Sequence, residues 1–296
     1  MDWSKSKSIF IVVFLILDVF LYSLYLNRHT EAQQVEKELL GNQNIEARLK
    51  ADNITYEALP TNIEKASYIS GKVKNFEGVD LKLENSQNIA VDKNKLVVTL
   101  RNPVEIKNIE EASSYNDFLK LNVIEGASYT LWEIDKLGKK ATFFQTVNTR
   151  TLYYILNGLV TVYWNDKNEI VKYEQTLLED IEAYEEEKAL TTPLKAIQTL
   201  YNKGLILPNS AITKINLGYS TLVQFTETQV FVPTWEIRVK SENEIEEEFF
   251  VNAVQGGVLD LTLDATMVEE VEEAVEDAIT ADKEINLDKE IEKGRE

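Results

Sequence analysis

The sequence has no cysteine and one histidine, and these two gaps remove much of the chemistry that 296 residues could carry. Without thiols there are no disulfides, no thiol nucleophile, no thiolate metal site and no lipid-modified cysteine as an anchor. With His29 as the sole imidazole, neither a Ser-His-Asp triad nor a histidine-based metal centre can be assembled. P-loop, H-E-x-x-H and strand-borne G-x-G-x-x-G patterns are also absent, which disfavours nucleotide and zinc-peptidase chemistry. Positive charge is scarce: 31 Lys and Arg face 50 Asp and Glu, a net charge of -19. That balance argues against nucleic acid and against close contact with anionic lipid.

Carboxylates are the one chemistry in surplus. Glu185, Glu186 and Glu187 could in principle flank a glycosidic bond, but with 50 acidic residues such neighbours carry little information, and they read as a solvated stretch. Asn53-Ile54-Thr55 matches a glycosylation sequon and is given no weight, because the N-terminal anchor described next points to a bacterial envelope. The expectation is a protein without catalytic residues, cofactor or metal.

What is present begins with an apolar run. Ser8 to Leu26 is 19 residues long, and 14 of these are Ile, Val, Leu or Phe. At about 1.5 Å per residue the run reaches roughly 28 Å, the thickness of a bilayer core. No A-x-A-like cleavage site follows it, so it reads as a retained span. Lys5 and Lys7 precede it and acidic sequence follows, which puts the N-terminus in the cytoplasm and the rest outside.

Asp18 interrupts the run. A central Asp opposes insertion by about 2.5 to 3.5 kcal/mol, against about 0.3 to 0.6 gained per large apolar residue, so the helix still inserts. An ionisable group at that depth normally faces another helix or a wet cavity. Ile11, Phe14, Tyr22 and Tyr25 lie within about 40° of Asp18 on a helix that turns roughly 100° per residue. Two readings stay open: a protonated acid tolerated by an anchor with stability to spare, or a face that binds a partner's transmembrane helix through Asp18 and Tyr22.

Beyond the span, residues 27 to 52 read as a helical stalk broken at Gly41-Asn42, then a short helix started by Asn44 and carrying Ile45 and Leu49. NITYEALP, ASYISGKV, VDLKL and KLVVTL read as strands, and EEASSYNDFLKL as a helix with Tyr115, Phe118 and Leu119 on one face. YTLWEID, ATFFQTV, TLYYIL and LVTVYWNDKNEIVKYEQTLLEDI form an antiparallel meander. TTPLKAIQTLYNKG is a helix capped by Thr192, with Pro193 in its first turn and Gly204 as its stop. AITKINLGYSTLVQF, FVPTWEIRVK, EEEFFVNAV and VLDLTL complete a strand series.

The predicted class is α+β. A cytoplasmic segment (1 to 7) and a transmembrane helix (8 to 26) lead into two small modules of antiparallel sheet with packed helices, residues 53 to 126 and 127 to 263. Residues 264 to 296 hold 13 acidic and 4 basic residues, with Val268, Val271, Val275 and Ile279 at helical spacing. They form a helical or disordered tail, either a solvated extension or a docking helix for a basic partner. Trp132, Tyr153, Tyr154, Tyr163, Trp164 and Trp235 could line a groove or fill the core, and no convergent charge in the pattern names a ligand.

MDWSKSKSIFIVVFLILDVFLYSLYL closely resembles the start of the YycI proteins of low-GC Gram-positive bacteria, and FFQTV, VYWNDKNEIVKYEQTLLEDIE and VPTWEI with FFVNAVQGG are similar to that family's outer module. VPTWEI and VNAVQG are also similar to the PepSY-like hairpin ending of many exported proteins. The resemblance implies a YycH-like fold and a single-pass membrane protein. It also implies a non-enzymatic regulator of the essential WalK/WalR (YycG/YycF) two-component system. Such proteins associate with the sensor histidine kinase WalK and with a YycH-like membrane protein, largely through transmembrane helices. Only Ile9 to Leu26 can be placed on that role, and nothing is carried over onto the acidic tail. The alternative is an anchored PepSY-like module that occupies an envelope hydrolase or a wall ligand with its sheet face.

Overall fold

The computed structural model describes residues 45–61, 64–81, 83–221 and 227–261. Among the described residues three α-helices form where apolar residues recur three and four apart. In α1 (residues 45–51) Ile45 and Leu49 are both fully buried. In α2 (Ser113–Asn122) the buried set is Tyr115, Phe118 and Leu119. α3 (Pro193–Asn202) starts as its sequence dictates: the Thr192 hydroxyl accepts a hydrogen bond from the Lys195 amide at 3.2 Å, Pro193 needs no amide partner in the first turn, and Gly204 follows with φ +71°.

The first sheet is antiparallel, in the order β6 (Tyr129–Asp135), β7 (Lys140–Val147), β9 (Leu159–Trp164), β10 (Glu169–Gln175), β5 (Lys95–Glu105), β4 (Ser86–Asp92). Alternation puts Val160, Val162 and Trp164 of β9 on one face, with Ala141 and Phe143 beside them, and α2 packs there to close a first core. The second sheet is built on β13 (Ala211–Ser220) and β14 (Thr228–Lys240), with β15 (Glu246–Asn252) and β16 (Val258–Leu259) beyond. Leu217, Trp235 and Val251 are cross-strand neighbours on the face that α1 and α3 cover, forming a second core.

Three short elements join the halves. β8 (Arg150–Tyr153) pairs with β7 on one side and, in parallel, with β13 on the other. β3 (Ile69–Val73) pairs with Thr228–Phe231 of β14 and with β11 (Leu178–Ala183), while β15 takes over from Thr234 onward. Pro233 sits at that handover, where a missing amide disturbs neither ladder. A third core of Ile69, Val73, Leu152, Ile155, Leu178, Tyr219 and Phe231 lies beneath this junction. β1 (Thr55–Tyr56) runs parallel to β13, and β2 (Lys65–Ala66) pairs with β12 (Lys188–Ala189) apart from the main sheet.

The cores group residues differently from a division at Gly126. The first gathers Phe76 to Leu177, from both sides of that glycine; the second joins Ile45, Leu49 and Ile54 to residues 196–253. Gly126 is buried against the end of α2, where a Cβ would lie 1.8 Å from the Leu119 carbonyl oxygen, so it is a packing glycine and not a linker. NITYEALP gives a strand only at Thr55 and Tyr56, and the described residues of VDLKL give none; Leu81 and Leu83 pack on the first core from a loop. SQNIAVD, by contrast, is β4. Its polar surface reflects its place at the sheet edge, which hides the apolar alternation of an inner strand.

Candidate functional site

The transmembrane face expected from the sequence, Ile11, Phe14, Asp18, Tyr22 and Tyr25, lies outside the described residues, as do the stalk before residue 45 and the acidic tail. Among the described residues no helix is long and apolar enough to cross a membrane. The chemistry that the described residues concentrate is on the second sheet, on the face turned away from α1 and α3.

Side chains alternate along β14, so Glu236 and Arg238 point opposite to the core residues Trp235 and Ile237. In register beside them stand Lys214 of β13 and Glu248 and Phe250 of β15. Trp132 of β6 lies over this face, with Phe144 of β7 and with Tyr153 and Tyr154 at the end of β8. Its ring centroid is 5.0 Å from Phe144, 5.6 Å from Tyr153, 5.7 Å from Tyr154 and 6.5 Å from Phe250. The Arg238 guanidinium sits 4.7 Å from the Trp132 ring and the Lys214 ammonium 5.9 Å.

Glu236 is 1% exposed. One carboxyl oxygen accepts from Arg238 Nε at 2.7 Å and from Lys214 Nζ at 3.2 Å, and the other accepts from the Tyr153 hydroxyl at 3.1 Å. Both oxygens are engaged, so the carboxyl forms a joint that fastens β8, β13 and β14 to one another. Burial and then the Glu236 charge push the Tyr153 hydroxyl well above its usual range. Burial alone would lower the Arg238 pKa, but the bond and charge of Glu236 outweigh it and the guanidinium is held more firmly protonated. Tyr154 is pushed up to about 12, by burial first and then by Glu248. It also holds φ at +52°, a conformation that costs a bulky residue roughly 1 to 3 kcal/mol, and its packing on Trp132, Phe144 and Phe250 offsets this.

A second carboxyl of similar design lies on the first sheet. Glu174 accepts from Lys95 at 2.8 Å and from Lys172 at 2.7 Å, and Lys172 lies 4.4 Å over the ring of Tyr163. Of the six aromatics singled out in the sequence, the structure therefore unites Trp132, Tyr153 and Tyr154. Tyr163 belongs to the Glu174 group. Trp164 fills the first core and Trp235 the second, where its indole donates to the Thr191 carbonyl at 2.9 Å. Phe144, Lys214, Glu236, Arg238 and Phe250 escaped the sequence reading. The one local signal was the pattern Trp-Glu-Ile-Arg in β14, charges alternating with core residues in a strand otherwise too apolar to be half solvated.

Residues 33–254, spanning both sheets and the joint between them, match the model of the YycI protein family. The chain belongs to the YycI family. The family match leaves the apolar run and the acidic tail outside its bounds. Among solved structures the chain is similar to an uncharacterized protein of Eubacterium rectale ATCC 33656, at 10% identity over 71% of this chain and 92% of that one, TM-score 0.43. It is also similar to YycH from Bacillus subtilis, at 15% identity over 58% of this chain and 40% of that one, TM-score 0.32. No curated protein matches the sequence.

Proposed function

We propose that this YycI-family chain is a membrane-anchored, non-enzymatic accessory regulator of an essential cell-wall two-component system, acting on the sensor kinase WalK (YycG) together with a YycH-like partner. The observation that carries the reading is the family match over residues 33–254, which supports a role in the YycG/WalK regulatory system. The finer mechanism rests on the apolar run. With the N-terminus in the cytoplasm of a Gram-positive cell, Ser8 to Leu26 crosses the membrane once, and the face of Ile11, Phe14, Asp18, Tyr22 and Tyr25 docks on a kinase transmembrane helix. Hydrogen bonds of this kind are worth about 0.6 to 2 kcal/mol, enough to bias a two-state receptor several-fold without locking it. The Glu236 joint suits such a role, because it ties the two outer halves into a unit that can press on the anchor as one body.

Replacing Asp18 by Leu tests this in cells. The expected outcome is reduced co-purification with the kinase and altered output from a reporter of the system, with the protein still in the membrane. Unchanged values in both measurements would remove helix recognition as the mechanism.

A further inference from the structure

β13 is fully partnered on one edge and interrupted on the other. Toward β14 its residues run in register from Ala211 to Ser220, with one bulge between Ile212 and Lys214. On the opposite edge β1 pairs in parallel with Ala211 and Ile212, and β8 pairs in parallel with Tyr219 and Ser220. β1 and β8 thus lie in line, like one strand with its middle removed. No described strand faces the residues between them, Thr213 to Gly218.

The gap has defined ends. At Gly218 the neighbouring chain comes so close that a Cβ would lie 2.4 Å from the Thr151 carbonyl oxygen. At the other end the chain leaves β1 through Glu57 and Ala58, which with Ile212–Asn216 line a cleft of about 170 Å³. The open stretch is therefore residues 213–217, roughly 16 Å of strand at about 3.3 Å per residue. Along an unpaired edge the amides and carbonyls of alternate residues point outward and need a partner. Residues 213–217 make no backbone hydrogen bond outside the β13–β14 ladder among the described residues.

We infer that this gap is a docking slot for one short extended segment of a partner protein, which completes the sheet by pairing with β13 between β1 and β8. The closed ends select the occupant. A long edge strand of a second copy, such as the seven-residue β4, would run into β1 or β8, whereas a segment of four or five residues fits. The flanking side chains set its composition. On the helix face Ile215 packs on the second core and calls for β-branched apolar neighbours, while on the other face Lys214, which holds Glu236 at 3.2 Å, keeps 40% of its side chain exposed and can take a second carboxylate from an acidic neighbour. The slot involves none of the residues of the proposed transmembrane contact, so either assignment can fail without the other.

The absence of cysteine makes a direct test possible in the full chain. Ala58→Cys places a single thiol at the mouth of the slot, and Leu137→Cys places one at the 98% exposed tip of the β6–β7 turn as a reference. Each variant is equilibrated by disulfide exchange with a thiol-bearing pentapeptide of sequence Thr-Val-Glu-Val-Thr, and capture is normalised to that of mercaptoethanol. Tethering raises the effective peptide concentration to the millimolar range, so even weak strand pairing registers. The expected result is about tenfold greater capture at position 58 than at 137, lost when alternate amides of the peptide are N-methylated. Equal capture at the two sites, or preference at 58 that survives N-methylation, overturns the assignment.

Discussion

Glu236 and Glu174 solve one problem in two settings. Each is a buried carboxyl held by two cations, and cations also lie over an aromatic ring in both cases, Lys172 at Glu174 and both Arg238 and Lys214 at Glu236. At Glu174 the ring is Tyr163, the cross-strand neighbour of Lys172, so the group is complete within the first sheet. At Glu236 the cations stand on β13 and β14, but the ring is Trp132 of β6 and the third donor is Tyr153 of β8. The difference is one of reach. Similar charge chemistry stabilises one sheet locally in the first case and fastens two sheets together in the second, so only the second can carry strain between halves of the molecule.

Removing the carboxyls gives the largest separation between the two. Glu236→Ala leaves Arg238, 21% exposed, and the buried Tyr153 hydroxyl without the acceptor they share, and is expected to cost about 3 to 5 kcal/mol in urea denaturation. Glu174→Ala should cost less, about 2 kcal/mol, because the Glu174 side chain is itself 10% exposed against 1% for Glu236, and its loss strands no buried hydroxyl as the loss of Glu236 strands Tyr153. Its cost also depends on acidity. Burial raises the Glu174 pKa, but Lys95 and Lys172 outweigh burial and hold it below the ordinary 4.5. The Glu174 contribution is thus present above about pH 4.5 and fades as pH falls through the lowered value. Equal losses for the two variants at pH 7 would show that spanning two sheets adds nothing.

Trp132→Ala attacks the reach itself. Loss of its packing on Phe144, Tyr153, Tyr154 and Phe250 should cost about 3 kcal/mol, the low end for a large aromatic because Trp132 keeps some exposure. The more telling readout is cooperativity. With the joint weakened, fluorescence from Trp164 and Trp235 and the far-UV dichroism should cease to report one coincident transition. A variant that is weaker yet still melts in a single step would mean that the third core alone couples the halves.

This contrast also marks what a linear pattern can hold. The helices were legible because their evidence is local: Thr192 and Pro193 before Leu194, or Tyr115, Phe118 and Leu119 on one face, need no distant partner. Most strands were legible from β-branched and aromatic alternation, and β4 was not, since an edge strand buries too little to alternate. Grouping into cores failed to follow sequence order because α1 and β1 pack against residues 196–253, across the whole first sheet. The joint was hidden for the same reason. Trp132 and Arg238 are 106 positions apart by their numbers, and nothing near either one records the meeting.

The smallest expected effect comes from Glu248, on the same face as Glu236 but with its own side chain exposed. Partial burial, followed by repulsion from Glu236 and Glu133, raises its pKa above the ordinary 4.5, and Arg238 and a hydrogen bond with Tyr154 only partly oppose this. A carboxyl with a raised folded-state pKa holds its proton more tightly in the fold than in the open chain. Ionising it therefore costs stability, and that cost appears as pH rises from 4.5 through the raised value. Glu248→Gln removes the cost, so the variant should be slightly more stable than the parent at pH 7, by less than about 0.5 kcal/mol given solvent screening, and equal to it near pH 4. The comparison sharpens here, because Glu236 and Glu248 are two carboxyls beside one arginine. A loss on replacing Glu248 at pH 7 would mean that Arg238 divides its charge between them, and the joint would then depend on the solvent-facing acid as well as the buried one.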